Sequence, residues 1–121
     1  VSAIPTATDV LDPDVAVLSL PDVAENLGLP ITRVHQMLRD KTLLAFRRGG
    51  VVVVPADFLI DGEVVKHLSG TLTLLDDGGY APEDILRWMF TVDDSLAGTP
   101  IAALRSERSR EIKRRAQAMA F

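Results

Sequence analysis

The sequence predicts a mainly α fold with one β-hairpin: a short helix pair, then the hairpin, then a helical C-terminal stretch. Three observations carry this expectation. Apolar residues recur at helical spacings of three and four in successive segments. Two β-rich runs, LLAFRR and VVVVP, are separated only by Gly49-Gly50, which is the mark of a two-residue hairpin turn. The chain has 121 residues, 47% hydrophobic and 25% charged, enough for one compact domain or a small domain with a helical appendix, but too few for two large lobes.

Residues 1–16 hold two prolines, two threonines and three aspartates without a sustained period, so a flexible tail is expected there. Order should begin near Leu18. Ser19, with Asp22 three residues on, makes the Asp form of a capping box, and Leu18 and Val23 stand where a hydrophobic staple would. The spacing of Leu20, Val23, Ala24 and Leu27 predicts a helix over 20–27, ended by Gly28, because glycine takes the left-handed conformation at no steric cost. A second helix is expected over 31–40 with Ile31, Val34, Met37 and Leu38 inward. The hairpin follows, with Pro55 stopping its second strand, and it must pack on the helices through Leu44, Phe46, Val52 and Val54, since two strands alone are marginal.

The rest reads as helical. Leu72, Leu74 and Leu75 lie in a segment closed by Asp76-Asp77-Gly78-Gly79, and Pro82, Glu83 and Asp84 open a helix carrying Ile85, Leu86, Trp88, Met89 and Phe90. Thr99-Pro100 starts a short helix through Leu104. Ser106 is the expected cap of a last helix whose Ile112, Ala116 and Met119 form a narrow stripe among Arg108, Arg110, Lys113, Arg114 and Arg115.

The formal charge of −4 hides a pattern. Residues 1–30 carry five acids and no base, residues 31–55 carry Arg33, Arg39, Lys41, Arg47 and Arg48 against Asp40 alone, residues 56–104 are again acidic, and residues 105–121 hold six bases against two acids. Two basic islands stand in an acidic background, and a local basic face can bind phosphate backbones despite an acidic total.

The first island coincides with a motif. Ala24, Gly28 and Val34 stand at Ala-x3-Gly-x5-Val, the spacing of a helix-turn-helix: a small residue where two helices cross, a glycine in the turn and a branched anchor in the second helix. With the hairpin as a wing closing on Val54-Pro55, the stretch resembles the winged helix-turn-helix of the excisionase and MerR-like type; Pro30 departs from that pattern, which places a Ser or Thr cap there. The C-terminal run resembles the helical domain of actinobacterial DNA-binding proteins whose mycobacterial member is a substrate of a Ser/Thr protein kinase. More distantly it is similar to the toxin-binding domain of Xre/MbcA/ParS antitoxins, through Trp88-Met89-Phe90, Ser95-Leu96, Gly98-Thr99-Pro100 and Ala103-Leu104-Arg105. These likenesses imply a tail over 1–16, a winged helix-turn-helix DNA-binding domain over 17–60 and a helical C-terminal domain over 61–121.

The resemblance implies double-stranded DNA as partner and transcriptional regulation as function. Arg33 and Gln36, with Thr32 and His35, would face a major groove, where Arg suits guanine and Gln suits adenine. Arg39, Lys41, Arg47 and Arg48 are placed for phosphates or a minor groove. The alternative for this set is a solvated helix face. The cluster from Arg105 to Arg115 either solubilises a helix or pairs with the acidic middle stretch. The residues of the tail alone read as a solubilising leader; the kinase-substrate likeness implies instead a kinase as a further partner and a phosphoacceptor there, Thr8 beside Asp9 being better placed than Thr6. The antitoxin likeness implies a second reading, a protein-interaction module that binds a partner such as a toxin through the C-terminal domain.

Other classes find little support. There are no cysteines, so disulfides, thiolate zinc sites and cysteine nucleophiles are excluded. His35 and His67 are the only histidines and lack cysteine companions, so no metal or other cofactor is expected. No G-x-S-x-G elbow exists, and Gly49-Gly50 and Gly78-Gly79 lie in no phosphate-loop or dinucleotide fingerprint, so an enzyme is not expected. Trp88, Met89 and Phe90 are read as core. No apolar run approaches the ~20 residues that span a bilayer, and the start lacks a signal-peptide pattern, so a cytoplasmic location without membrane contact is expected.

Overall fold

The computed structural model describes residues 5–106 and 109–120. Strand β1 (Val17–Ser19) runs directly into helix α1 (Leu20–Leu27), because Ser19 ends the one and caps the other: its backbone is extended and its Oγ accepts the Asp22 N–H at 3.3 Å. Leu20, Val23 and Ala24 are buried. Gly28, at φ 67°, closes the helix with its own N–H bonded to Glu25 O and the Leu29 N–H bonded to Ala24 O. Helix α2 (Ile31–Arg39) is capped by Pro30, which offers no side-chain acceptor, and it buries Val34 and Leu38. Ile31, expected inward, is 36% exposed, because α2 meets the core through its later turns and its first turn lies beyond that contact.

Strands β2 (Phe46–Arg48) and β3 (Val51–Pro55) form the wing, joined by Gly49 at φ 58° and Gly50 at φ 79°. Two consecutive positive φ values define the mirror-image turn whose twist matches that of the strands. The sheet order is β1-β3-β2, all antiparallel, so the wing has a third strand that the sequence reading did not separate from the approach to α1. A 3-10 turn over Ala56–Phe58 leads to a second, small hairpin of β4 (Leu59–Ile60) and β5 (Glu63–Val64), turning on Asp61 and Gly62, again both at positive φ.

The C-terminal part is helical as expected: α3 (Leu68–Asp77), α4 (Pro82–Met89), α5 (Pro100–Leu104) and α6 (Ser109–Ala120). Thr99 caps α5 by accepting the Ala102 N–H at 3.2 Å. The cap expected from Ser106 concerns residues 107 and 108, which lie outside those described. Helix α6 packs its buried Ile112 and Ala116 toward α3 and α5, and the Tyr80 hydroxyl ties its end by donating to Met119 O at 3.0 Å. One continuous core runs through both parts. The Phe58 and Phe90 rings meet at 5.9 Å, and Arg105 donates to Asp57 O at 2.8 Å and Leu59 O at 2.7 Å. Met89 is fully buried, with Trp88 and Phe90 packed against the same core.

The described part of the expected flexible tail is not free. Ala7 is buried beside Phe46 in a parallel bridge; its N–H donates to Ala45 O at 2.9 Å and its carbonyl accepts the Arg47 N–H at 3.3 Å. The Thr8 N–H reaches Glu83 Oε1 on α4 at 3.0 Å. Backbone pairing to an open strand edge needs no apolar period, so composition alone reads this segment as disordered.

The end of α6 approaches α3 closely enough to require a glycine: a Cβ on Gly78 would stand 2.9 Å from both Cα and Cβ of Ala120. Gly78→Ala is therefore expected to destabilise by about 1–3 kcal/mol through overpacking. Gly70→Ala, inside α3 with nothing near its would-be Cβ, should stabilise by about 0.5–1 kcal/mol. Denaturant midpoints of the two variants check the opposite signs.

Candidate nucleic-acid interface

With Val34 and Leu38 inward, the rotation of about 100° per residue in α2 sets Gln36 opposite the core, with Thr32 and Arg39 beside it. Arg33 lies on one flank and His35 on the other. Thr32, Arg33 and Arg39 are exposed; His35 and Gln36 are half-buried. The outward face carries a small network that the charge pattern does not show: Gln36 Nε2 donates to Asp40 Oδ1 at 2.8 Å, and Arg39 donates to Gln36 Oε1 at 3.1 Å. On the Arg33 flank an open groove of about 350 Å³ separates α2 from the start of α3, lined by Leu29, Arg33, Met37, Thr42, Val64 and Ser69.

Lys41 follows α2 at φ 62°. Its N–H bonds Leu38 O and the Thr42 N–H bonds Met37 O at 3.0 Å, so the turn out of α2 repeats the helix closure of α1 with a lysine in the left-handed position.

The wing separates its two arginines. Successive residues of a strand point to opposite faces, so Arg47 is exposed while the Arg48 side chain keeps only 23% of its surface. Arg48 lies over the Phe46 ring at 5.1 Å, pairs with the Asp9 carboxylate at 2.9 Å and donates to Val15 O at 2.8 Å and Asp12 O at 3.2 Å. Of the residues expected to contact DNA, this one is already engaged by the tail. Hydrogen bonding from Arg48 holds the Asp9 carboxyl below the usual carboxylate range, and the Thr8 N–H does the same for Glu83. Thr8 is exposed and Thr6 half-buried. At the wing tip Val51 is 53% exposed, an apolar side chain that no charge pattern marks.

The second basic island divides as well. Arg115 bridges Glu111 and Asp93, each at 3.1 Å, and donates to Ser95 Oγ at 2.8 Å, so here a base does pair with the acidic middle stretch. Hydrogen bonds from Ser95, with Arg115 alongside, hold the Asp93 carboxyl below its ordinary value. Arg110, Lys113 and Arg114 stay exposed. Among the described residues no group of three His, Asp or Glu side chains could hold a metal ion, and no helix is long and apolar enough to cross a membrane.

Two helices joined by a glycine-closed turn, followed by an antiparallel hairpin and carrying cations on the second helix and the hairpin, define a winged helix-turn-helix protein. The chain belongs to the family of DNA-binding protein Rv2175c. The model described as DNA-binding protein Rv2175c, wHTH domain, matches residues 3–59, and that described as the Rv2175c C-terminal domain of unknown function matches residues 65–120. DNA-binding protein Rv2175c of Mycobacterium tuberculosis (strain ATCC 25618 / H37Rv) is 48% identical over 134 residues, covering 100% of this chain and 92% of the relative. The NMR structure of Rv2175c superposes with a TM-score of 0.89 at 47% identity, again over 100% of this chain and 92% of that one.

Because the Asp9 and Glu83 carboxyls are lowered on folding, their contribution to tail docking is full above the ordinary carboxylate range and is lost as pH falls through the lowered values. The hydrogen-exchange protection factor of the Ala7 amide should therefore hold near neutral pH and fall below about pH 4. Asp9→Asn should lower it at neutral pH. Protection indifferent to both changes would show that the ion pair does not hold the tail.

Proposed function

We propose that the protein binds duplex DNA as a transcriptional regulator, with α2 in the major groove and the wing on the phosphate backbone. The observation that carries this reading is the placement of Arg33, Arg39, Lys41 and Arg47 on the second helix, the turn after it and the wing, in a chain whose remaining N-terminal half is acidic. The name of the M. tuberculosis relative, a DNA-binding protein, agrees with it. Arg33 and Gln36, flanked by Thr32 and His35, take the base edges; Arg39, Lys41 and Arg47 take phosphates. Arg48 is reassigned to holding the tail.

The antitoxin-like reading gains nothing specific from the fold. The landmarks that carry it are used internally: Leu96, Pro100, Ala103 and Leu104 are buried and Thr99 caps a helix. The kinase-substrate resemblance points to the tail, and there Thr8, exposed and held to Glu83 through its amide, is favoured as phosphoacceptor over the half-buried Thr6. A phosphate there would add about −1.5 to −2 charges beside Asp9 and Glu83 and, at low salt, weaken DNA binding. Titration of duplex DNA with phosphorylated and unmodified protein checks this; equal affinities would reject it.

Affinity should fall steeply with salt, each neutralised phosphate contributing about −0.9 to the slope of log K against log salt. Arg47→Ala is expected to make that slope shallower by about one contact, and Arg48→Ala by less, because its guanidinium is engaged within the chain. Arg33→Ala or Gln36→Ala should cost about 1–3 kcal/mol on a preferred site and much less on unrelated duplex. Equal losses on both DNAs would demote these residues to backbone contacts, and a flat salt titration would remove phosphate contact as the main contribution.

A further inference from the structure

Asp40 is unaccounted for by the roles above. It is the only acid among residues 31–55, beside five bases. It stands at the C-terminal end of α2, where the helix dipole disfavours a carboxylate, and it forms no ion pair among the described residues. The unfavourable dipole position is offset by the i,i+4 hydrogen bond from Gln36, but the charge still lowers the attraction of the interface for phosphate. What it does is hold Gln36. The Gln36 Nε2 donates to Asp40 Oδ1 at 2.8 Å while Gln36 Oε1 accepts from Arg39 at 3.1 Å, so the two ends of the amide are told apart and its rotation is fixed. An amide has two N–H donors and two lone pairs, and this arrangement leaves one of each unclaimed. Adenine presents the matching pair in the major groove, the N7 acceptor and the N6 amino donor.

We infer that Asp40 is a specificity-determining positioning residue: with Arg39 it holds the Gln36 amide for bidentate reading of an adenine, while its charge weakens the attraction for duplex DNA of any sequence. The inference rests on the reading of α2 as the groove-facing helix. An acid in this position lowers affinity for every DNA alike, and the orientation of Gln36 recovers affinity only where an adenine is present. The ratio between preferred and unrelated sequences widens as a result.

The test uses the full chain. A preferred site is selected from duplexes with a randomised core, and affinities are measured for that site, for copies with each adenine replaced, and for an unrelated duplex. Gln36→Ala should abolish the preference for adenine at one position, a loss of at least about fivefold. Asp40→Ala should lose that same preference, whereas Asp40→Asn, which keeps the acceptor without the charge, should retain it. Both Asp40 variants should bind the unrelated duplex more tightly than the unaltered protein does. Asp40→Ala with its full adenine preference would overturn the inference, as would a Gln36→Ala variant with unchanged base preference; either result leaves DNA binding itself standing. Failure of the unaltered protein to bind any duplex would instead overturn the underlying reading together with this one.

Discussion

One row of residues across the sheet holds the winged half of the molecule in register: Ala7 beside Phe46, Phe46 beside Val53, and Val53 beside Ser19. Each residue belongs to a different segment, respectively the tail, the outer wing strand, the central strand and the cap of α1. A slip of one residue in either pairing of β3 would turn Val53 or Phe46 out of the core, since side chains alternate faces along a strand. It would also shift α1, whose first turn Ser19 caps, relative to the sheet. The start of α1, the position of the wing and the docking of the tail therefore share one origin, and α2 follows through its packing on α1.

The same alternation decides the fate of the two wing arginines. Arg47 and Arg48 are neighbours in sequence with the same charge, yet the pleat sends one to solvent and the other against Phe46 and the tail. Paired surface charges are generally worth little because water screens them and side-chain ordering opposes them. Arg48 differs in having an aromatic ring beneath it and carboxylate and carbonyl oxygens around it, so several charge-assisted bonds share the cost of ordering one side chain. A phosphate competing for Arg48 must replace all of these at once. A phosphate approaching Arg47 displaces only water.

Much of this architecture was legible in the sequence. The Ser19 cap, the Leu20, Val23 and Ala24 stripe and the Gly28 stop marked α1 to its ends, because capping and helical spacing act within a few residues. Gly49-Gly50 marked the wing turn for the same local reason. Strand β1 was not legible, since three residues carry no period and form a strand only against β3. Nor does the second hairpin stand out, although Asp61-Gly62 between Leu59-Ile60 and Glu63-Val64 is a turn signal, because its two-residue strands are too short to carry a period. On α2, helix phase places Thr32, Arg33, Gln36 and Arg39 away from the buried Val34 and Leu38, and the structure has them there. The contacts between side chains far apart in sequence, Asp9 with Arg48 and Thr8 with Glu83, could not be read from patterns that look only along the chain. Asp40 was visible as a lone acid in a basic stretch, but only the geometry attached it to Gln36.

The C-terminal helices bear on the interface through the core that both parts share. Arg105 at the end of α5 holds the carbonyls of Asp57 and Leu59, directly after the central strand of the wing. Phe58, in the same turn, packs against Phe90 just past α4, and the tail that covers β2 also bonds α4 through Glu83. Relative motion of the two parts would therefore open a ring contact, two short hydrogen bonds to backbone carbonyls and the tail bridge together. The Phe58 and Phe90 rings lie in the shared core, where packing density makes a loss of contact costly. The wing and the C-terminal helices behave as one body on this account. An effect of the C-terminal part on DNA binding is expected to pass through this shared packing or through charge placed near the wing, since the core is continuous between the two.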